Sequence, residues 1–551
     1  MFKPELFNSL KGYNGKTFLS DLIAGIIVGI VALPLAIAFA IASGVGPERG
    51  LFTAIIAGFC ISFFGGSKVQ IGGPTGAFAV IVFGVVQEFG FAGLATATVM
   101  AGILLILLGV FKMGGLVKFI PYTIVTGFTA GIAVTIFVGQ IGDFLGLTTG
   151  KMPGDFIGKI GVYAKSISTI NWYSFGMALI SLIIIFVWPK VSKKIPGSLI
   201  VIILATLLNL VFEKTLGWHT DTIGSRYGEI PSSLPAPALP DFSIGAITKL
   251  FPTAISIAVL AAIESLLSAV VADGMIGSKH NSDNELIGQG IANIFSPLFG
   301  GLPATGAIAR TATNINNGGR TPIAGIIHAI TLLLIMLLFG KYVEYIPMAA
   351  LAAVLISVAW NMAGLPAIKA LSKGQKSDIA ILLITFLITV FVDLTYAISI
   401  GLIISGLLFI KKIVELSEVT SGNKGIFEGA KTNDYDEQIE IPKDVMIYEI
   451  NGPLFFGTIR KFELAMERTK NNYKVLILRM RNTLYLDAGG IRALEQCKAA
   501  CDRKGITIVL SGIHTQPFML CEKTGMTEKI GRENIFDNIN AALERAKEII
   551  G

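Results

Sequence analysis

Arg310 and Glu264 are the residues from which chemistry can be argued first. Each puts a charge inside a long apolar stretch, where an ionisable side chain is costly unless it faces a cavity or has a partner. The Arg310 guanidinium has the fork geometry that suits oxyanions. It can supply the positive charge an anion needs, or lock its helix through a structural ion pair. Glu264 can pair with Arg310, carry a proton, or, if it stays ionised, ligate sodium together with Ser268 and backbone carbonyls. Two closely similar motifs accompany them: Gly72-Gly73-Pro74-Thr75-Gly76-Ala77-Phe78-Ala79 and Gly300-Gly301-Leu302-Pro303-Ala304-Thr305-Gly306-Ala307. Gly-Gly-Pro cannot continue a helix, whereas proline suits a first turn. Each motif is therefore expected to open a helix inside an apolar region. Two such amino ends facing each other offer free N–H groups and positive dipole ends to an anion. Thr75, Gly76, Ala77 and Phe78 would form one wall of that site, and Thr305, Gly306 and Ala307 with Arg310 the other. Phe39 and Leu35, in the first apolar stretch, are further candidates.

Other chemistry finds little support. His219, His280, His328 and His514 are scattered without metal-ligand spacing. No Ser-His-Asp arrangement, phosphate-binding loop or dinucleotide fingerprint appears in its required context. The chain therefore does not read as an enzyme, and no cofactor is expected beyond a coupled proton or sodium ion. Cys60, Cys497, Cys501 and Cys521 read as reduced thiols rather than a disulfide framework. Glu88 sits at the end of a predicted half-helix and Asp393 at a predicted turn between spans, where a solvated carboxylate is ordinary.

The elements that must position these residues are apolar helices. At 551 residues, 53% hydrophobic, with a mean hydropathy of +0.71, the chain is not a soluble globular protein. Membrane-length apolar stretches are read at 19–43, 50–64, 74–88, 93–111, 123–145, 174–188 and 197–212. After a polar, proline-rich stretch at 213–241 they resume at 253–274, 285–299, 303–316, 321–340, 348–363, 377–395 and 397–416. The two sevens also align outside the paired motifs, as in the stretches 32–44 and 262–274. An odd number of spans per repeat forces opposite orientations, so the expectation is fourteen segments in a 7+7 inverted repeat. Interrupted segments at matching positions of two such halves point to a transporter's substrate site. With the amino terminus inside, inner loops carry about twice as many Lys and Arg as outer loops. Fourteen crossings then return the tail to the cytoplasm. The net charge of +7 follows this topology, and nucleic-acid binding is not expected.

The expected domains are 1–418 for transport (repeats at about 19–212 and 248–416), 419–434 as linker, and 435–551 as a soluble α/β tail. In the tail 445–450 reads as an edge-like strand, 474–480 and 506–510 as buried strands, 488–503 as a helix and 535–547 as a closing amphipathic helix.

The stretches 72–80, 264–274, 285–301 and 304–322, the last including Asn317-Gly318-Gly319-Arg320-Thr321, resemble the SulP (sulfate permease) family of anion transporters. The resemblance covers essentially the whole chain, and the tail looks like that family's STAS domain. It implies a core domain (spans 1–4 and 8–11) and a gate domain (5–7 and 12–14), with the anion bound between the third and tenth helices. It also implies elevator-like movement of core against gate, a homodimer, and an inner (plasma) membrane location. Arg310 falls where animal members carry their anion-site Arg, and Glu264 where sodium-coupled bicarbonate members carry an Asp that helps bind sodium. Ile308 stands where those relatives have a Thr cation ligand, which favours proton symport. The expected function is secondary active transport of sulfate, bicarbonate or a dicarboxylate. Sodium-coupled bicarbonate symport and an uncoupled channel or exchanger are the alternatives, and Arg310 argues against a neutral nucleobase. The tail has Asp487-Ala488-Gly489-Gly490 where soluble STAS relatives have a phosphorylatable Ser, so no phosphoswitch is expected there.

Overall fold

The computed structural model describes residues 2–115, 121–150, 152–192, 196–392, 394–421, 441–467 and 473–551. Asp393, most of the expected linker (422–434) and the expected start of the tail (435–440) lie outside them. The membrane region opens with α1 (Gly15–Ala42), whose first turn is capped by Asn14 Oδ1 accepting from Thr17 N at 2.9 Å, and α2 (Pro47–Phe64), with proline at its first position. A two-residue strand β1 (Gly72–Gly73) leads into α3 (Gly76–Val110), interrupted only at Gly90, where φ is 68°. Then come α4 (Tyr122–Gly139), α5 (Phe156–Ser166), α6 (Trp172–Val187) and α7 (Gly197–Leu216).

The second half repeats the plan. It comprises α8 (Ile244–Ile276), α9 (Ser282–Leu298), strand β2 (Thr305–Gly306), α10 (Ile308–Asn316), α11 (Pro322–Val343), α12 (Met348–Met362), α13 (Lys376–Phe391) and α14 (Leu394–Leu416). Among the described residues 10 helices are long and apolar enough to cross a membrane. The α3 helix carries two of the expected segments, one on each side of Gly90. Three others are shorter: α9 has 17 residues, α10 has 9 and α13 has 16.

The helices sort into two packed groups. In one, α1 packs on α2 and α11, α2 on α9 and α11, and α3 on α8 and α9. In the other, α4 packs on α12 and α13, and α6 on α7 and α12. Close approach in the first group depends on small residues. A side chain at Gly102 would lie 2.6 Å from the Gly290 carbonyl oxygen, so α3 and α9 touch backbone to backbone. Two buried carboxylates fasten loops in the same group. Glu285 accepts from Gly66 N at 2.8 Å and Ser67 N at 3.0 Å, and Asp21 accepts from Arg320 N at 2.8 Å and Thr321 Oγ1 at 2.5 Å.

The chain divides into compact units 1–402 and 403–551. The second contains a five-stranded sheet in the order β3 (Glu418–Ser421), β4 (Val445–Asn451), β5 (Val475–Asn482), β6 (Thr507–Ser511), β7 (Ile535–Phe536). Strand β3 runs antiparallel to β4 and the other pairs are parallel. Helices α15 (Ile459–Glu467), α16 (Ala488–Asp502), α17 (Thr515–Lys523), α18 (Met526–Ile530) and α19 (Ile539–Ile550) complete it. Two readings of the tail are corrected. The 445–450 strand is interior, because β3 covers its free edge. The closing helix begins at Ile539, where Asn538 Oδ1 accepts from Ala541 N at 2.9 Å, and Ile535–Phe536 instead extends the sheet.

Candidate functional site

The two Gly-Pro-Thr-Gly motifs meet. Strands β1 and β2 pair antiparallel, with Gly72 opposite Gly306 and Gly73 opposite Thr305, so α3 and α10 start beside each other from opposing chain directions. The helix starts themselves differ. The first lies two residues past the expected Pro74: helix begins at Gly76, with Thr75 as the N-cap residue of α3, lending it no side-chain cap. In the second, helix does not begin at Pro303 or Thr305. Thr305 and Gly306 are strand, and α10 begins at Ile308 with Ala307 as its uncapped N-cap residue. Side chains from neighbouring helices hold that stretch extended. Asn293 bonds both backbone groups of Ala304 (Ala304 N to Oδ1 2.9 Å, Nδ2 to Ala304 O 2.8 Å). Ser296 Oγ donates to Leu302 O at 2.7 Å, and Leu302 N donates to Thr53 Oγ1 at 2.6 Å. With its backbone polar groups satisfied this way, the segment gains nothing from helical hydrogen bonds.

Both helix ends therefore keep backbone N–H groups without a side-chain cap, and both lie at one crossing, where such groups can donate to an anion. Their exposure differs. Ala77, Phe78 and Thr305 are buried, whereas Thr75 and Glu264 are partly exposed and Ile308 and Ala309 are open. The accessible face of the crossing is thus built from Thr75, Glu264 and the first residues of α10. Ala309 belongs to it and could have been found from the sequence only by placing the helix start correctly. Thr305 lies behind this face, its hydroxyl 2.6 Å from Ser265 Oγ and 3.2 Å from Ala261 O. Gly306 N donates to Ser265 Oγ at 3.2 Å. Around Gly76 the space for a side chain is closed by Phe39 Cε1 and Ile136 Cδ1, both at 3.2 Å, and Met362 Sδ at 3.1 Å. Phe39 closes this space from α1, and Ile136 and Met362 from α4 and α12.

Arg310 and Glu264 do not pair. Arg310 is 2% exposed, and its Nη2 donates to the Pro74 carbonyl oxygen. Its Nη1 has no hydrogen-bond partner, and among the described residues no carboxylate lies within ion-pair distance. The guanidinium reaches across because Gly73 (φ 149°) has no side chain to block it. Arg310 thus braces the entry to α3 from the first turn of α10 and leaves an unpaired donor and a full charge at the crossing. Glu264 instead accepts from Thr75 Oγ1 at 3.0 Å. Ser268 stands one turn further along α8 and reaches Thr311. It is fully buried, lies 3.5 Å from Thr311 Oγ1, and that oxygen accepts from Ile71 N at 3.0 Å.

One constellation escaped the sequence reading. His280 Nδ1 lies 2.7 Å from Asp273 Oδ2, and His280 Nε2 lies 2.9 Å from Ser282 Oγ. This Asp-His-Ser chain closes the turn between α8 and α9. A side chain at Gly114 would meet Ser282 Cβ at 2.8 Å, so a neighbouring backbone packs on the serine, and the chain serves as a turn clamp. In the tail, Asp487 caps α16, accepting from Gly490 N at 2.8 Å and from Phe456 N at 3.1 Å. Ala488 occupies the first helical position, with no hydroxyl to modify.

The chain matches the profile of the sulfate permease family over residues 18–385 and that of the STAS domain over 437–542. It is 44% identical over 529 residues to "Putative sulfate transporter YvdB" of Bacillus subtilis, covering 96% of this chain and 98% of that protein. It is 31% identical over 553 residues to the bicarbonate transporter BicA of Synechocystis, covering 96% and 94%. Among solved structures, murine Slc26a9, an anion transporter in the inward-facing state, matches with a TM-score of 0.87 over 99% of this chain and 94% of that one; at 20% identity this bears on fold alone. The transmembrane domain of a cyanobacterial BicA matches with a TM-score of 0.62 at 32% identity, over 71% and 98%.

Proposed function

The chain belongs to the sulfate permease family of transporters, with a STAS domain as its tail, and from that premise we propose that it is a proton-coupled secondary transporter of a small oxyanion, sulfate first and bicarbonate or a dicarboxylate next. The observation that carries the reading is the pairing of Gly72–Gly73 with Thr305–Gly306, which sets two uncapped helix ends beside the Arg310 charge. The anion sits on the amides of Gly76 and Ala77 from α3 and of Ile308 and Ala309 from α10. Thr75 contributes its hydroxyl, and Phe39 and Phe78 bound the cavity. Thr305, Gly306 and Ala307 hold the second helix start from behind.

Glu264 couples the proton. Ionised, its carboxylate accepts the single Thr75 hydroxyl proton; protonated, it releases that hydroxyl to donate to the anion beside it. Ionised, it repels the ligand; protonated, it does not, and anion and proton bind together. Sodium coupling has less support, because the Ser268 hydroxyl is engaged with Thr311 and Ile308 offers no side-chain oxygen. Transport then requires the α1–α3 and α8–α11 group to move against the group of α4, α6, α7 and α12–α14, an elevator step. The division of packing between the two groups supports this. The lysine and arginine bias supports an amino terminus and tail on the cytoplasmic side of the plasma membrane, and the homodimer is carried over from the family resemblance alone.

Radiolabelled uptake into proteoliposomes, across sulfate, bicarbonate, fumarate and uracil with pH and sodium varied independently, tests the reading. Saturable anion uptake driven by an inward proton gradient is expected. Uracil uptake, anion uptake driven by sodium alone, or anion current without a coupled ion each overturns it.

A further inference from the structure

A cavity of about 490 Å³ opens one helical turn along α3 from the anion helix end. Ala79 and Phe83 line one wall, and Ile136, which also closes over Gly76, lines it at the inner end. Lys159, on the connecting helix α5, projects into it. Its side chain is buried, with Nζ 4.3 Å from the centroid of the Phe83 ring. No carboxylate lies within ion-pair distance of this ammonium, and it has no hydrogen-bond acceptor among the described residues. The other charges of the cavity are occupied. Arg226 holds Asp143 at 2.5 Å and Asp221 at 2.9 Å, and Asp155 caps α5 by accepting from Gly158 N at 2.6 Å. Gln87 and Gln140 add neutral donors to the lining.

A buried cation with no anion in contact is costly, and a concave wall of low dielectric focuses its field into the cavity. Burial pulls the Lys159 ammonium below its ordinary pKa, against the pull of Asp155. An entering anion would supply the missing partner. We propose that this cavity is an entry vestibule in which Lys159 captures the small oxyanion before it passes Ile136 to the end of α3. The inference rests on the transport reading above and adds a second subsite to it, on the face opposite the cytoplasm in the proposed topology.

The test is radiolabelled sulfate and bicarbonate uptake into right-side-out and inside-out membrane vesicles. Lys159→Gln should raise KM about tenfold from the vestibule face, the loss expected for one charge-assisted contact. KM from the other face should stay unchanged. Lys159→Arg should stay near wild type, as should Lys165→Gln, a change at an exposed lysine of the same helix. Phe83→Leu separates capture from a cation–π latch: if it and Lys159→Gln alter KM equally from both faces, the vestibule is refuted. An unchanged KM for Lys159→Gln refutes it as well. Should Lys159→Gln not reach the membrane, sulfate is expected to protect Lys159 of the wild-type chain from an amine-acylating ester, and absence of protection overturns the proposal. Failure of wild-type vesicles to take up any anion would instead overturn the transport reading.

Discussion

Replacing Glu264 by Gln removes one charge beside the proposed anion site and keeps an acceptor for the Thr75 hydroxyl. Thr75 Oγ1 lies 3.0 Å from the carboxylate, and an anion resting on the adjacent amides stands another hydrogen bond away, about 6 Å from the charge. Each unit of anion charge at that separation, at an effective dielectric of about 20, is repelled by about 3 kcal/mol, so a monoanion by about 3 kcal/mol and sulfate by about twice that. At about 1.4 kcal/mol per decade this is on the order of 100-fold in affinity for a monoanion and about the square of that for sulfate. Wild-type anion affinity should therefore rise as pH falls through the titration of Glu264, by up to that factor. The sign follows from charge: protonation neutralises the repelling group, so low pH favours binding. Glu264→Gln should hold the high affinity at every pH and exchange anion across the membrane, yet fail to accumulate it against a gradient. The assay is the pH dependence of KM for radiolabelled sulfate in proteoliposomes, with accumulation measured under an imposed proton gradient. Retained pH dependence, or retained accumulation, in Glu264→Gln would refute the assignment.

Three further outcomes are expected. Arg310→Lys keeps a charge but loses the fork that reaches the Pro74 oxygen, so KM should rise about tenfold or more, and Arg310→Ala should raise it further; unchanged uptake kinetics in both would remove Arg310 from the site. Gly288→Ala places a methyl group 2.7 Å from the Gly65 N and Cα, backbone atoms that cannot swing aside, and should cost about 1–3 kcal/mol or more, read as a lower melting temperature in detergent. Burial pushes the Cys521 thiol up to about 11 from 9.0, so iodoacetamide should leave it unmodified at about pH 8 in the folded chain and label it in urea. Because the folded form holds its proton more tightly, that contribution to stability is present below about pH 9 and is lost as pH rises towards about 11.

Much of the architecture was legible in the residues. Apolar runs are local signals, and a helix lies over each stretch expected to hold one. The repeated glycine-proline motif marked the crossing correctly, because a break in hydrophobic helix is written in the broken segment itself. The same motif misled at the second helix start. Nothing within 300–307 says that Asn293, Ser296 and Thr53 will take its backbone bonds. The alternating strand at 445–450 was read as an edge for a similar reason: its cover, β3 (Glu418–Ser421), falls in a stretch expected to be the start of the linker.

The sequence by itself determined the membrane class, the doubled order of segments, the family and the two charges worth examining. Tertiary structure alone decided their partners: Thr75 rather than Arg310 for Glu264, the Pro74 oxygen for Arg310, and the loop before α11 for Asp21. Helix formation and burial depend on a window of neighbouring residues. Those contacts join positions 189, 236 and 300 residues apart, and each is chosen by whichever polar group the packed helices bring within reach.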